Sequence, residues 1–296
     1  MARIIVTGGN SGVGKATAAA LAAAGHQMTI ACRTVRSAEQ AAAEMAGDVE
    51  VAHLDLADLA SVRRFADSVG TVDVLINNAG VFGLPLTYTV DGFEAHIGTN
   101  HLGHFALTCL LGAKITDRVI SASSAIYRLG HIDLDDLHWR HRTYRNWGAY
   151  AQSKLATMLF TCELARRGVR AYATDPGSAD TNITSDSTGV MHWLGEHKVV
   201  TFHLQSPPDA ARASIEAVTT ELPSGSYLAP RFSQWGRPKA TRIRPQACDP
   251  VLARQLWNLS SALTGCDWPA QRPQPEPWAV PRSSRCQNPM RSPRSS

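Results

Sequence analysis

Thr7-Gly8-Gly9-Asn10-Ser11-Gly12-Val13-Gly14 closes a short β-branched run, Arg3–Thr7, and opens an alanine-rich stretch, Gly14–Ala24. A strand, a glycine turn and a helix start in that order make an anion site. The first N–H groups of a helix lack intrahelical partners, and only glycines let a pyrophosphate approach the backbone that closely. A glycine-rich loop can also be a plain turn, so its strand–turn–helix setting carries the weight. The loop predicts that Thr7, Gly8, Asn10, Ser11, Gly12, Val13 and Gly14 contact a dinucleotide.

Working outward, the same alternation continues. Strand-like runs fall at Gln27–Cys32, Val49–Leu54, Val72–Asn77, Arg118–Ala122 and Val169–Thr174. Helix-like stretches lie between them at Ala38–Met45, Leu59–Val69, Phe93–Leu111 and Tyr150–Arg167. A helix is expected over Asp209–Thr220 and a last strand at Tyr227–Leu228. The pattern predicts an α/β fold: one Rossmann-type, doubly wound parallel sheet with helices on both faces. Near-continuous apolar strands suit burial on both sides. We expect one domain over residues 1–270. A lid is expected at about 182–205, where periodicity lapses, and a disordered Pro/Arg/Ser-rich tail at 271–296.

The chain has 296 residues, 44% hydrophobic and 18% charged, as globular proteins do. Its net charge is +4, but five arginines and one glutamate lie in the tail. The remainder carries equal numbers of basic and acidic residues, so no basic nucleic-acid face is expected. Six cysteines without a CxxC pair read as reduced thiols in a cytoplasmic protein. There is no apolar run long enough to span a membrane.

Tyr150-Ala151-Gln152-Ser153-Lys154 places a phenol and an amine one helical turn apart. A tyrosine near its ordinary pKa is a poor acid–base catalyst at neutral pH, and a nearby ammonium favours the phenolate. The spacing Gly-x-x-x-Gly-x-Gly, followed by Asn77-Asn78-Ala79-Gly80 and Tyr-x-x-x-Lys, resembles the short-chain dehydrogenase/reductase family. The resemblance spans residues 3–181. It implies a catalytic set of Asn100, Ser124, Tyr150 and Lys154, with Ser124 preferred to Ser123. It also implies cofactor contacts from Asn78, Ala79, Gly80, Pro176, Gly177 and Thr181, besides Tyr150 and Lys154. In that pattern Ser124 polarises the substrate oxygen and Asn100 holds a water that connects Lys154 to solvent. Where NAD-specific members carry an acid after the second strand, this chain has Cys32 and then Arg33. Arg33 can fork onto a 2′-phosphate, so NADP(H) is the expected cofactor, with Asp55 and Leu56 at the adenine.

Ser124 and Tyr150 are 26 positions apart, longer than the family's usual spacing. With His131–Leu137 inserted, the chain resembles the retinol dehydrogenase and protochlorophyllide reductase branch. It is also similar to actinobacterial ketoreductases that tailor aromatic polyketides in secondary metabolism. The expected partner is a bulky hydrophobic carbonyl or alcohol, since the 182–205 stretch carries Ile183, Trp193 and Phe202 and few charges. His96, His101 and His104 lack an acid or cysteine to complete a metal set, and no metal is expected. Family members pack that helix at a dimer interface, which leaves a homo-oligomer open. Trp139 with its flanking His138, Arg140, His141 and Arg142 reads as a surface loop. A redox-sensing regulator keeps the glycine loop but loses Tyr or Lys. An extended-type sugar epimerase or dehydratase has another glycine spacing and a larger C-terminal domain.

Overall fold

The β-branched runs alternate their side chains across one sheet. Ile4 and Val6 of β1 (Arg3–Thr7) enter a core with Ile30, Ile76, Ile120 and Tyr172, and Ile5 enters another with Leu75, Val119 and Phe105. Both faces are therefore apolar, and both are covered. The structure, a computed structural model, describes residues 1–177, 205–232 and 234–269.

Along the chain come α1 (Gly12–Ala23), β2 (Gln27–Cys32), α2 (Val35–Ala43), β3 (Val49–His53), α3 (Leu59–Ser68) and β4 (Val72–Asn77). Then follow α4 (Ala95–Ile97), a π turn (Gly98–Leu102), α5 (Gly103–Leu110), β5 (Ile115–Ala122) and a 3₁₀ helix (Ala125–Leu129). The second half holds α6 (Asn146–Arg166), β6 (Arg170–Thr174), α7 (Pro207–Thr219), β7 (Tyr227–Pro230) and β8 (Pro238–Thr241). A second 3₁₀ helix (Pro245–Cys248) leads into α8 (Pro250–Thr264). The eight strands lie in the order β3-β2-β1-β4-β5-β6-β7-β8. The order reverses between β1 and β4, so their carboxyl ends, Thr7 and Asn77, flank the crevice where such sheets bind ligands.

Three expectations change. The sheet is parallel only as far as β7, because β8 pairs antiparallel to it through a hairpin. The stretch Phe93–Leu111 is not one helix: a π turn interrupts it at Gly98–Leu102, with Asn100 in the turn. Such turns re-aim a side chain that regular helix would point elsewhere. Cys162 of α6 and Cys248 form a disulfide, with Cα atoms 5.6 Å apart in space and the two residues 86 positions apart in sequence. That separation hid the pair, while Cys32, Cys109 and Cys266 are free and buried. Within the chain, α8 packs against α5 and α6. Trp257 meets Phe105 at 4.9 Å and Phe160 at 5.7 Å, and His101 bonds the Ser260 hydroxyl at 2.9 Å.

That helix has its own start and stop. Asp249 accepts from the N–H groups of Val251 and Leu252, Pro250 fills the first helical position, and Gly265 ends it at φ 62°. Trp257 is 2% exposed and also donates to Asp267. Trp257→Ala should destabilise the fold by about 3–5 kcal/mol in denaturant unfolding. A loss below about 1 kcal/mol would mean α8 is only loosely seated.

The tail at 271–296, Thr181 and the lid stretch except Gln205 lie outside the described residues. The described residues contain no helix long and apolar enough to cross a membrane. The basic aromatic patch is neutralised locally: Arg142 lies 3.8 Å from the Trp139 ring centre and pairs with Asp133 and Asp136.

Candidate active site

Two connected clefts run along the carboxyl ends of the strands. The larger, about 320 Å³, is lined by Gly8, Asn10, Ser11, Cys32, Arg33, Asp55, Leu56 and the segment Ala79–Phe82. The smaller, about 110 Å³, shares Gly8, Ser11 and Ala79–Val81 and continues past Gly12–Gly14 and Asn78 to Ser123, Tyr150, Lys154 and Pro176. The glycine loop, the Asn-Asn-Ala-Gly turn and the Tyr/Lys pair therefore meet in one place.

The loop has the shape a pyrophosphate needs. Gly8 and Gly12 adopt φ 67° and 52°, and a Cβ on Gly14 would collide with the Gly8 carbonyl and the Asn78 amide. Ser11, the cap residue of α1, makes no side-chain cap, so the helix's first N–H groups are left for another acceptor. Thr7 ties β1 to β4: its hydroxyl accepts from the N–H groups of Asn78 and Ala79 at 2.9 and 3.0 Å, and Asn78 Nδ2 donates to its carbonyl at 2.9 Å. His104 Nε2 sits 2.9 Å from the same hydroxyl, while its Nδ1 sits 3.1 Å from the Asn100 carbonyl. Burial holds the His104 ring near a pKa of about 4, so it is neutral. A neutral ring donates through Nδ1 and accepts through Nε2, which satisfies both contacts.

At the rim, Arg33 is exposed and has no carboxylate partner among the described residues. Asn10 reaches Ser37 at 3.0 Å and fixes the loop beside it. Cys32 is buried, and burial pushes its thiol pKa up. Asp55 accepts the Ala57 N–H at 2.9 Å.

On α6, buried along most of its length, Tyr150 hydrogen-bonds Ser124. Ser123 instead bonds the Lys154 carbonyl at 3.0 Å, so of the paired serines Ser124 is the one facing the phenol. Burial, and then the Asp175 carboxylate, push the Tyr150 pKa above its ordinary value, and Ser124 pulls the other way. Lys154 donates to the Ala122 carbonyl at 2.9 Å and lies 5.6 Å from the Tyr150 ring centre. Burial lowers its pKa to about 8.

Asn100 is brought to the site, with its side chain fully engaged. Its Oδ1 accepts the Val81 N–H at 2.8 Å, and its Nδ2 donates to the Val81 carbonyl and the Ser153 hydroxyl. Next along that segment, Phe82 meets Tyr150 and Trp147 edge-on, each at 4.7 Å. Leu84 is held by Tyr144 and His96, which share the buried carboxylate of Glu94 at 3.0 and 2.7 Å. The three histidines thus have separate tasks and do not converge. Phe82, Glu94, Tyr144 and Asp175 were not singled out from sequence. Only Asp175 had a signal there, standing directly before Pro176-Gly177. Gln205 donates to the Pro176 carbonyl at 2.8 Å, tying the end of the lid stretch to that turn.

The comparisons agree with this geometry. A family profile described as short chain dehydrogenase matches residues 2–126. Human "Retinol dehydrogenase 13" is 41% identical over 93% of this chain and 88% of its own length. The chain belongs to the short-chain dehydrogenase family. Mouse "Retinol dehydrogenase 12" is 37% identical over 90% of the chain and 87% of its own. Among solved structures, an uncharacterized protein from Mycobacterium Paratuberculosis is 45% identical, with a TM-score of 0.80 over 91% of this chain and 95% of that one. A short chain dehydrogenase from Burkholderia cenocepacia, in complex with NADP, is 26% identical, with a TM-score of 0.58 over 74% and 91%. This short-chain dehydrogenase is therefore an oxidoreductase of the retinol dehydrogenase-like branch, acting on an alcohol or carbonyl with a nicotinamide dinucleotide. The Gly8–Gly14 cradle fits that cofactor.

Proposed function

We propose that this enzyme uses NADP(H) to interconvert a bulky hydrophobic carbonyl and its alcohol, with Asn100, Ser124, Tyr150 and Lys154 as its working residues. The observation that carries the reading is that Tyr150 and Lys154 stand together at the end of the cleft that begins at the glycine loop. The bound nicotinamide supplies or accepts the hydride. Ser124 and Tyr150 both present hydroxyls to the substrate oxygen. Ser124 stabilises negative charge as it builds there. Tyr150, whose pKa the site pushes above its ordinary value, is a neutral phenol and donates its proton to that oxygen. Lys154, close to half-charged near pH 8, is suited to passing protons toward Tyr150. Asn100 fixes Val81 and Ser153 on either side of it. Arg33 answers the 2′-phosphate, while Asp55 and Leu56 border the adenine side.

The substrate class rests on the aromatic wall next to Tyr150, made of Phe82 and the half-exposed Trp147. The relatives' names speak of retinol, an isoprenoid alcohol of matching chemistry. Covering a flat apolar substrate against Trp147 should contribute about 1–3 kcal/mol. A panel of carbonyls followed by NADPH absorbance tests this. Isoprenoid and polycyclic carbonyls should exceed small hydrophilic ones in kcat/KM, and Trp147→Ala should weaken the large ones selectively. Equal effects on both classes would remove the substrate assignment and leave the reaction.

A further inference from the structure

The long stretch between Ser124 and Tyr150 has no task in the reaction just described, yet it is tied to one place. His138 accepts the Glu94 N–H through Nδ1 at 3.3 Å and stacks on Phe93, with ring centres 5.4 Å apart. Arg140 donates to the Gly92 carbonyl at 2.9 Å. Tyr144, packed edge-on against Trp139 at 5.6 Å, donates to the Glu94 carboxylate at 3.0 Å. The insert thus grips Gly92–Glu94, at the entry to α4.

From there the contacts lead to the wall of the site. Glu94 and His96 are both fully buried. The Glu94 carboxylate also accepts the N–H groups of His96 and Ile97, at 3.0 and 2.9 Å, and meets His96 Nδ1 at 2.7 Å. A carboxylate with that many donors can stay buried, where a lone one would be costly. On the other side of the ring, Nε2 accepts the Leu84 N–H at 3.4 Å, so the ring proton sits on Nδ1, facing Glu94. The Tyr144 hydroxyl reaches the Leu84 carbonyl at 3.2 Å. At the opposite end of that segment, Asn100 takes both backbone groups of Val81. Val81–Leu84 belongs to no helix or strand, and it turns at Gly83 with φ 72°. Its end residues therefore find their backbone partners in side chains. Phe82 is carried between the two clips, edge-on to Tyr150 and Trp147.

We propose that Glu94, His96 and Tyr144 are positioning residues that fix Phe82 as the specificity-determining wall of the substrate site. The proposal rests on the reading of the substrate as a bulky apolar carbonyl. A flat apolar molecule gains from a wall that is in place before it arrives. A loose segment would have to be ordered on binding, and that cost would come off the affinity. The clip at Leu84 orders the segment when the chain folds instead. A small hydrophilic carbonyl has little apolar surface to lay against Phe82, so it gains little from the clip. Discrimination between the two classes is thereby set by residues that stand behind the wall. The insert has its task here, because its Tyr144 supplies the donor for the Leu84 carbonyl and a partner for Glu94.

The test is a double-mutant cycle in the full chain, with NADPH as reductant. It reads the ratio of kcat/KM for retinaldehyde to kcat/KM for glyceraldehyde, with the melting temperature of each variant measured alongside. Tyr144→Phe removes one hydroxyl and should lower the ratio about fivefold, through the KM for retinaldehyde and not through kcat. His96→Leu, which leaves the Leu84 N–H without its acceptor, should do the same, and His96→Gln should recover part of the loss. Phe82→Ala should lower the ratio about tenfold. Because the clip acts through Phe82, adding Tyr144→Phe to Phe82→Ala should lower the ratio no further. Independent, multiplying effects in the double variant would overturn the proposal. So would an unchanged ratio in whichever of Tyr144→Phe and His96→Leu folds. A parent enzyme that does not prefer retinaldehyde would overturn the substrate reading and this proposal together, whereas a preference that survives in the folded variants overturns the proposal alone.

Discussion

Tyr150→Phe should lower kcat/KM for carbonyl reduction by about 10³-fold, since a positioned proton donor contributes roughly 10² to 10⁴. That is a loss of about 4 kcal/mol of transition-state stabilisation. The ring edge against Phe82 survives the change, so the wall of the site stays in place. Ser124 loses its partner but remains seated at the end of β5. NADPH affinity, measured by fluorescence titration, should be nearly unchanged, because the phenol hydroxyl is the only group removed. Turnover within a few-fold of wild type would show that the proton comes from elsewhere, with Lys154 and a water as the nearest source.

The second large effect concerns the cofactor. Arg33→Ala should erase most of a preference for NADPH over NADH. A charge-assisted bond to the 2′-phosphate contributes about 1.5–3 kcal/mol, or on the order of 10- to 100-fold in kcat/KM. Arg33 stands at the rim of the larger cleft and is exposed, so added salt should shrink the preference in the parent enzyme as well. Equal kcat/KM for the two cofactors in the parent would contradict the role given to Arg33. An unchanged preference in Arg33→Ala would move that role to Asn10, Thr34 or Ser37.

The fold was legible because its signals are local and periodic. Six of the strands fall where their β-branched runs put them, and Gly8–Gly14 opens α1 as a phosphate loop must. Asn78 and Ala79 show why Asn-Asn-Ala-Gly follows β4: their N–H groups both need the Thr7 hydroxyl. The reading from sequence assigns no element to Pro250–Thr264, although Asp249-Pro250 and Gly265 mark its ends. What α8 does is set by tertiary contact, since Trp257 reaches Phe105 and Phe160 across gaps no local pattern measures. The disulfide was hidden for the same reason. Site residues carried by short motifs, such as Tyr150 and Lys154, arrive together in the cleft. The electrostatics did not follow from spacing. One helical turn between Tyr150 and Lys154 predicts a lowered phenol pKa, yet burial and Asp175 raise it. Desolvation depends on the whole surrounding fold, and no pair of positions in the sequence reveals it.

The most direct test of the central claim is hydride transfer itself. Purified enzyme would be given NADPH deuterated at nicotinamide C4, together with an isoprenoid aldehyde, and the alcohol product weighed by mass spectrometry. With label on the transferred face, the account predicts a single deuterium on the carbinol carbon, formed in step with NADPH loss and absent with Tyr150→Phe. If both C4 faces are labelled in turn and NADPH binds, yet no carbonyl of the panel acquires deuterium, the chain is not the reductase described.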